Sequence, residues 1–345
     1  MSKSNLSASG ISLVTFTFLL GCTLLLFPAL RAFSQSVDDV HVVPRDHPAA
    51  RASTAVDSPD SESVQRSRRH FRVDVDLVLI PVTVTDNKNR IVTSLQKENF
   101  LLSEGGEPQH IQYFSAEDAP ISVGVLLDLS GSMTNKIDTA REALGEFFKN
   151  ANPEDDYFVV TFANRPELLA GTTQSIENIQ SKLALAVPHG NTALLDAIYV
   201  GLSRLRNARY KRRALLIISD GGDNHSRYDA KEIKKLVQEA DVEIYAIGIF
   251  DSIFKTYEEW TGKRLLTEIT EETGGRTVTV EDLGKLPEIA ATISRELRNQ
   301  YVLGYRPKTS GRDGQWRKIK VQLTRSINVA AMQIYYRRGY QAPAE

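Results

Sequence analysis

The stretch Val125-Leu126-Leu127-Asp128-Leu129-Ser130-Gly131-Ser132-Met133 decides how this chain is read. An apolar run ends here, with no spacer, in Asp-x-Ser-x-Ser, so one strand delivers a carboxylate and two hydroxyls to a single loop. Residues 121–127 are too uniformly apolar for a half-exposed strand and suit one covered on both faces, as in a parallel sheet. Beyond the loop, Ile137, Ala140, Leu144, Phe147 and Phe148 recur at helical spacing, which predicts a helix packed by one face. Strand, polar loop and amphipathic helix make the start of a βαβ unit.

Working outward, the alternation repeats. Strands are predicted at 157–162, 214–218, 242–249 and 277–280, and helices at 176–187, 193–205, 230–240, 265–272 and 283–297. The pattern is that of an open α/β fold, a doubly wound, mostly parallel sheet. Such sheets hold ligands beyond the carboxyl ends of their strands, which is where residues 128–132 fall. Two further pieces reach the same edge: Gly190-Asn191-Thr192 precedes a helix, and Ser219-Asp220-Gly221-Gly222-Asp223 ends a second apolar strand. Together Asp128, Ser130, Ser132, Thr192 and Asp220 offer three hydroxyls and two carboxylates, hard donors suited to octahedral Mg²⁺ or Mn²⁺. Without His or Cys in the set, zinc is a poor match. Asn135 and Asp223 are expected just behind these donors. A single Asp-x-Ser-x-Ser is commonly a turn or helix cap, and it is the ordered combination of all three pieces that points to metal.

The five residues resemble the metal-ion-dependent adhesion site of von Willebrand factor A-type domains, over about residues 121–298. Val82-Thr83-Val84-Thr85-Asp86, Tyr301-Val302-Leu303-Gly304-Tyr305 and Trp316-Arg317-Lys318-Ile319 extend the resemblance to exported relatives of that family abundant in acidobacteria. The resemblance implies that Ser130 and Ser132 hold the ion directly and Thr192 directly or through water. Asp128 and Asp220 would act largely through water or hydrogen bonds. The ion then keeps enough charge to take an Asp or Glu from a protein partner, so a non-enzymatic adhesion or interaction module is implied. A metal-stabilised scaffold for a cell-envelope complex is the alternative. A hydrolase built on Ser130 or Ser132 with Asp220 and His189 lacks a Gly-x-Ser-x-Gly elbow and needs hydroxyls already claimed as ligands. His189 and His225 are read as solvated loop residues, Lys211-Arg212-Arg213 as a solvated strand start, and Trp260, Trp316, Tyr335 and Tyr336 as packing residues.

Two β-rich flanks, 71–118 and 299–341, bracket the α/β region 119–298. Their strands are predicted at 73–85, 100–102 and 111–114, then at 300–305, 317–323 and 332–336. Neither flank alone holds enough strands to be stable in water, so the two are expected to pair into one small sandwich or sheet. Residues 1–34 carry Lys3 and a nearly unbroken apolar run over 11–30, an export signal. Three fates stay open: cleavage near Ala32-Phe33-Ser34, retention as a membrane anchor, or acylation of Cys22 in Leu19-Leu20-Gly21-Cys22. Each puts the remainder outside the cytoplasm, as a periplasmic, secreted or anchored protein. Residues 35–70, rich in Asp, Ser, Pro, Ala and Arg, read as a disordered linker. Because Cys22 is the only cysteine, disulfides and thiol chemistry are excluded from the rest of the chain. With 42 basic and 43 acidic residues there is no basic footprint for nucleic acid.

Overall fold

The computed structural model describes residues 77–220, 222–250, 257–308, 313–324 and 332–344. The export segment with Cys22, the linker, residues 71–76 and Gly221 lie outside these. The chain runs through strands β1 (Val78–Asp86), β2 (Phe100–Glu104), β3 (Glu107–Gln109) and β4 (Ile111–Ser115) before the α/β alternation begins. There follow β5 (Ser122–Asp128), α1 (Ile137–Lys149), β6 (Asp156–Phe162), β7 (Pro166–Thr173), α2 (Ile176–Leu183), α3 (Leu194–Leu205) and β8 (Arg213–Ser219). Next come α4 (Ala230–Glu239), β9 (Glu243–Ile249), α5 (Tyr257–Thr273), β10 (Thr277–Val280) and α6 (Leu286–Arg298). Strands β11 (Tyr301–Tyr305), β12 (Trp316–Leu323), β13 (Met332–Tyr336) and β14 (Gly339–Gln341) close the described chain.

The central sheet has the order β10-β9-β8-β5-β6-β7, parallel except for β7. All seven residues of β5 are buried, as the apolar run Val123–Leu127 requires of a central strand covered on both faces. Alternate residues serve opposite layers. Val123, Val125 and Leu127 pack into the core shared with α1, α2 and α6, while Leu126 joins the core shared with α3, α4 and α5.

Three local differences from the sequence reading have physical causes. Strand β7 was not expected, because as an antiparallel edge strand it buries little and leaves Leu168 exposed. Helix α2 ends at Leu183, not at 187: Pro188 disfavours helical backbone at the residue before it, and the Arg141 guanidinium takes the carbonyls of Leu183 and Ala186. Helix α5 starts eight residues earlier than expected, at Tyr257 instead of 265. Its added turns contain Glu258, Glu259, Lys263 and Arg264, which favour helix without marking an apolar face.

The flanks combine. β1 pairs antiparallel with both β11 and β13, β11 pairs with β4, and β12 pairs with β2. The resulting four-stranded sheets, β13-β1-β11-β4 and β14-β12-β2-β3, share a core of Ile80, Val82, Phe100, Leu102, Tyr301, Leu303, Ile319 and Val321 among others. Each sheet takes strands from both ends of the described chain. Tyr301 ties them further, its hydroxyl accepting from the Leu95 N–H at 3.0 Å and donating to the Val92 carbonyl at 2.7 Å. Among the described residues no helix is long and apolar enough to cross a membrane.

Candidate metal centre

From β5 the chain passes to β6 on one side and later to β8 on the other, so the sheet's winding reverses between β5 and β8. A crevice opens at the carboxyl ends of strands at such a switch point. The register sets Leu127 beside Ile218, which brings Asp128 and Ser219 together at the two strand ends.

Asp128 is fully buried, and both of its oxygens are used. Its Oδ2 accepts from Ser219 Oγ at 2.5 Å and its Oδ1 from the Ser130 N–H at 2.8 Å. Burial pushes the Asp128 carboxyl up to about 6, opposed by the hydrogen bonds from Ser219 and Ser130, while the nearby Asp220 charge adds to the rise. After Ser130 the backbone makes a 3₁₀ turn, Gly131–Met133, anchored by the fully buried Met133. This turn sets Ser132 Oγ 3.0 Å from Ser130 Oγ and lets it donate to Asp220 Oδ1 at 2.8 Å. The other oxygen of Asp220, Oδ2, accepts from Lys136 Nζ at 2.5 Å.

The loop carrying Thr192 is stitched down from two sides. The His189 N–H donates to the Leu129 carbonyl at 2.6 Å, and the Gly131 N–H to the Gly190 carbonyl at 3.0 Å. Gly190 has a φ of +70°, and a Cβ there would lie 2.6 Å from Asn164 Oδ1. That oxygen is already engaged by the Asn191 N–H at 2.9 Å. Thr192 is itself buried, its N–H donating to Asn224 Oδ1 at 2.8 Å and its carbonyl accepting from the Asn224 and His225 N–H groups. Asp128, Ser130, Ser132 and Asp220 thus form one hydrogen-bonded chain, and Thr192 is held beside it through its backbone.

Asp223 turns elsewhere, accepting from the Leu195 N–H at the start of α3 and from Ser226 Oγ. Asn135 is exposed. Sequence reasoning did not single out Ser219, Lys136, Asn164 or Asn224. Ser219 had a signal in its adjacency to Asp220, whereas Asn164 and Asn224 act from loops distant in sequence. His189 is exposed, and its Nδ1 lies 3.0 Å from the Val187 carbonyl, away from both serines' hydrogen bonds. Of the tryptophans expected in packing, Trp260 is instead 56% exposed, whereas Trp316, 39% exposed, lies with its ring over Gly339 of the neighbouring strand. Arg212, expected to be solvated, clamps the carbonyls of Ala119 and Leu297 and the Gln300 side chain.

A cleft of about 280 Å³, lined by Leu129, Phe162, Asn164, Arg165, Glu167 and His189, adjoins the cluster. A larger groove of about 1090 Å³ lies at the opposite, amino end of the sheet strands, with Lys211, Arg213, Asp241 and Trp316 among its lining. Size does not select the candidate site; the convergence of oxygen donors does.

The model for the von Willebrand factor type A domain matches residues 123–222, spanning the Asp-x-Ser-x-Ser loop, Thr192 and Asp220. Residues 123–222 of the α/β unit belong to the von Willebrand factor A-type domain family. Among relatives, an uncharacterized protein of Borreliella burgdorferi is 26% identical over 188 residues, 48% of this chain. Inter-alpha-trypsin inhibitor heavy chain H4 of Sus scrofa is 27% identical over 168 residues, 44% of this chain. The chain spans 55% of the length of the first and 17% of the second. A solved von Willebrand factor type A structure from Catenulispora acidiphila is 11% identical, with a TM-score of 0.47, over 77% of this chain and 75% of that one.

The donor spacing in this A-type domain can be compared with what an ion requires. An octahedral ion with Mg²⁺–oxygen bonds of 2.0–2.1 Å sets adjacent oxygens about 2.9 Å apart. The Ser130 and Ser132 hydroxyl oxygens, 3.0 Å apart in a hydrogen bond, can occupy such an edge without moving apart. The donor set, hydroxyls and carboxylates without nitrogen or sulfur, fits a small, hard divalent cation.

Proposed function

We propose that the A-type domain binds one Mg²⁺ or Mn²⁺ at Asp128, Ser130, Ser132, Thr192 and Asp220 and uses it to capture an Asp or Glu carboxylate of a protein partner. The observation that carries this reading is the convergence of the Ser130, Ser132 and Asp220 oxygens, each within contact of the next, at the switch point of the sheet. A bound ion would supply the positive charge that a carboxylate needs in a partly buried crevice.

The residues have distinct tasks. Ser130 and Ser132 present neutral hydroxyls and so add no negative charge of their own to an ion. Asp128, engaged by Ser219 and the Ser130 backbone, holds the loop in place more than it offers a free oxygen. Asp220 orients Ser132 through its Oδ1. Both serine hydroxyls are partnered by each other and by Asp220 rather than by a histidine, which favours a binding module over a hydrolase. The apolar stretch over residues 11–30 supports work outside the cytoplasm.

Calorimetric titration of Mg²⁺ and Mn²⁺ into the chelator-treated full-length chain tests the reading. Saturation near one ion per chain is expected, lost in Asp128→Ala and weakened in Thr192→Ala. Absence of binding to folded protein, even with millimolar acetate present, would refute it.

A further inference from the structure

The carboxylate of Asp220 already has a cation of its own. Lys136 leaves the chain just ahead of α1 and places Nζ 2.5 Å from Asp220 Oδ2, opposite the oxygen that holds Ser132. Asp220 is almost wholly buried, and the Lys136 side chain is only 22% exposed. This is therefore a partly desolvated ion pair, screened less than a surface pair. The apolar anchors of this loop are Met133 and Ile137, which lie in the hydrophobic core.

We propose that Lys136 is a charge-setting residue of the metal centre: it weakens the hold on a divalent ion and keeps the filled site net positive, selecting an anionic partner. This rests on the metal-binding reading above. The reasoning is a charge count. Asp128 and Asp220, when ionised, bring two negative charges, which a divalent ion would cancel, leaving a neutral site with little pull on a carboxylate. Lys136 adds one positive charge within contact of Asp220, so the same site with an ion carries a net charge of one plus. The charge that repels the incoming ion is the one that attracts the partner's carboxylate. Asp220, with one oxygen on Ser132 and the other on Lys136, is also kept from closing directly on an ion, consistent with an outer role for it.

The two effects have opposite signs, which separates charge setting from mere structural support. Mn²⁺ is titrated into full-length wild type, Lys136→Met, Lys136→Gln and Lys136→Arg, with folding followed by circular dichroism. Removing one like charge from a partly screened site is expected to tighten Mn²⁺ binding about tenfold in Lys136→Met and Lys136→Gln. Lys136→Arg, which keeps the charge, should stay near wild type. In saturating Mn²⁺, acetate should bind the two neutral variants more weakly than wild type. Equal or weaker Mn²⁺ binding in both neutral variants, with wild type binding normally, overturns the inference and leaves the metal reading intact. If neither wild type nor any folded variant binds Mn²⁺, the metal reading itself has failed. Should Lys136→Met not fold, Lys136→Gln, which retains a donor for Asp220, carries the comparison.

Discussion

Glu243 provides a quantitative test of how the A-type domain is joined to the β-sandwich. It begins β9, is buried, and accepts from Gln300 Nε2 at 2.7 Å on both oxygens and from the Tyr245 hydroxyl at 3.1 Å. Gln300, just ahead of β11, also donates to Thr83 Oγ1 of β1 at 3.2 Å, so one side chain links the central sheet to the sandwich. Burial drives the Glu243 carboxyl from 4.5 up to about 7, against the pull of Gln300, Arg212 and Tyr245 and with a smaller push from Glu296. A raised acid in the folded state means that, between pH 4.5 and about 7, the native chain holds a proton the unfolded chain has lost. Stability therefore falls as pH rises through that window and levels off above it. At about 1.4 kcal/mol per pKa unit, this contribution amounts to roughly 2–3 kcal/mol between about pH 5 and pH 8.

Glu243→Gln removes that titration, and other groups cancel when the two proteins are compared at both pH values. Chemical unfolding of full-length wild type and variant at pH 5 and pH 8 should show wild type losing more stability on going to pH 8, by that difference. Equal losses in the two proteins would refute the assignment of a raised carboxyl to Glu243. A larger loss in the variant would refute its sign.

Two further outcomes follow from the same geometry. Gly190→Ala forces a Cβ into the space of Asn164 at a positive φ, so it should displace the Thr192 loop and weaken Mn²⁺ binding several-fold in calorimetry while the sandwich stays folded. Tyr301→Phe leaves the Leu95 N–H and Val92 carbonyl without their shared hydroxyl. It should cost about 1–3 kcal/mol in chemical unfolding, and an unchanged midpoint would argue against that hydroxyl as a tie between the flanks.

Much of the fold was legible in the sequence because its strongest signals are local. The apolar run Val123–Leu127 of β5 and the one-sided spacing of α1 declare a doubly covered strand and a packed helix without outside information. Failures came where burial was slight: β7 buries only Ala170, and the added turns of α5 carry Glu258, Glu259, Lys263 and Arg264 in sequence, so neither left a periodic trace. The two flanks each showed alternation, yet which strand meets which depends on contacts such as Leu323 with Phe100, hundreds of residues apart, which periodicity cannot encode.

For the candidate site, the sequence by itself determined the kind of donor and its place at a strand end. Asp128, Ser130 and Ser132 occupy one loop, and chain direction alone carries Asp220 and Thr192 to the same edge of a parallel sheet. Only the tertiary structure decided how those donors are engaged. The register of β5 against β8 puts Ser219 on Asp128. The 3₁₀ turn at Gly131–Met133 aims Ser132 at Asp220, and the positive φ at Gly190 lets the Thr192 loop close over Asn164. Lys136 reads in sequence as an ordinary charge before a helix, and becomes the cation of Asp220 only when β8 is laid beside β5. The reason is physical: residue type and period are properties of a local segment, whereas a hydrogen-bond partner is fixed by where the fold brings a second segment.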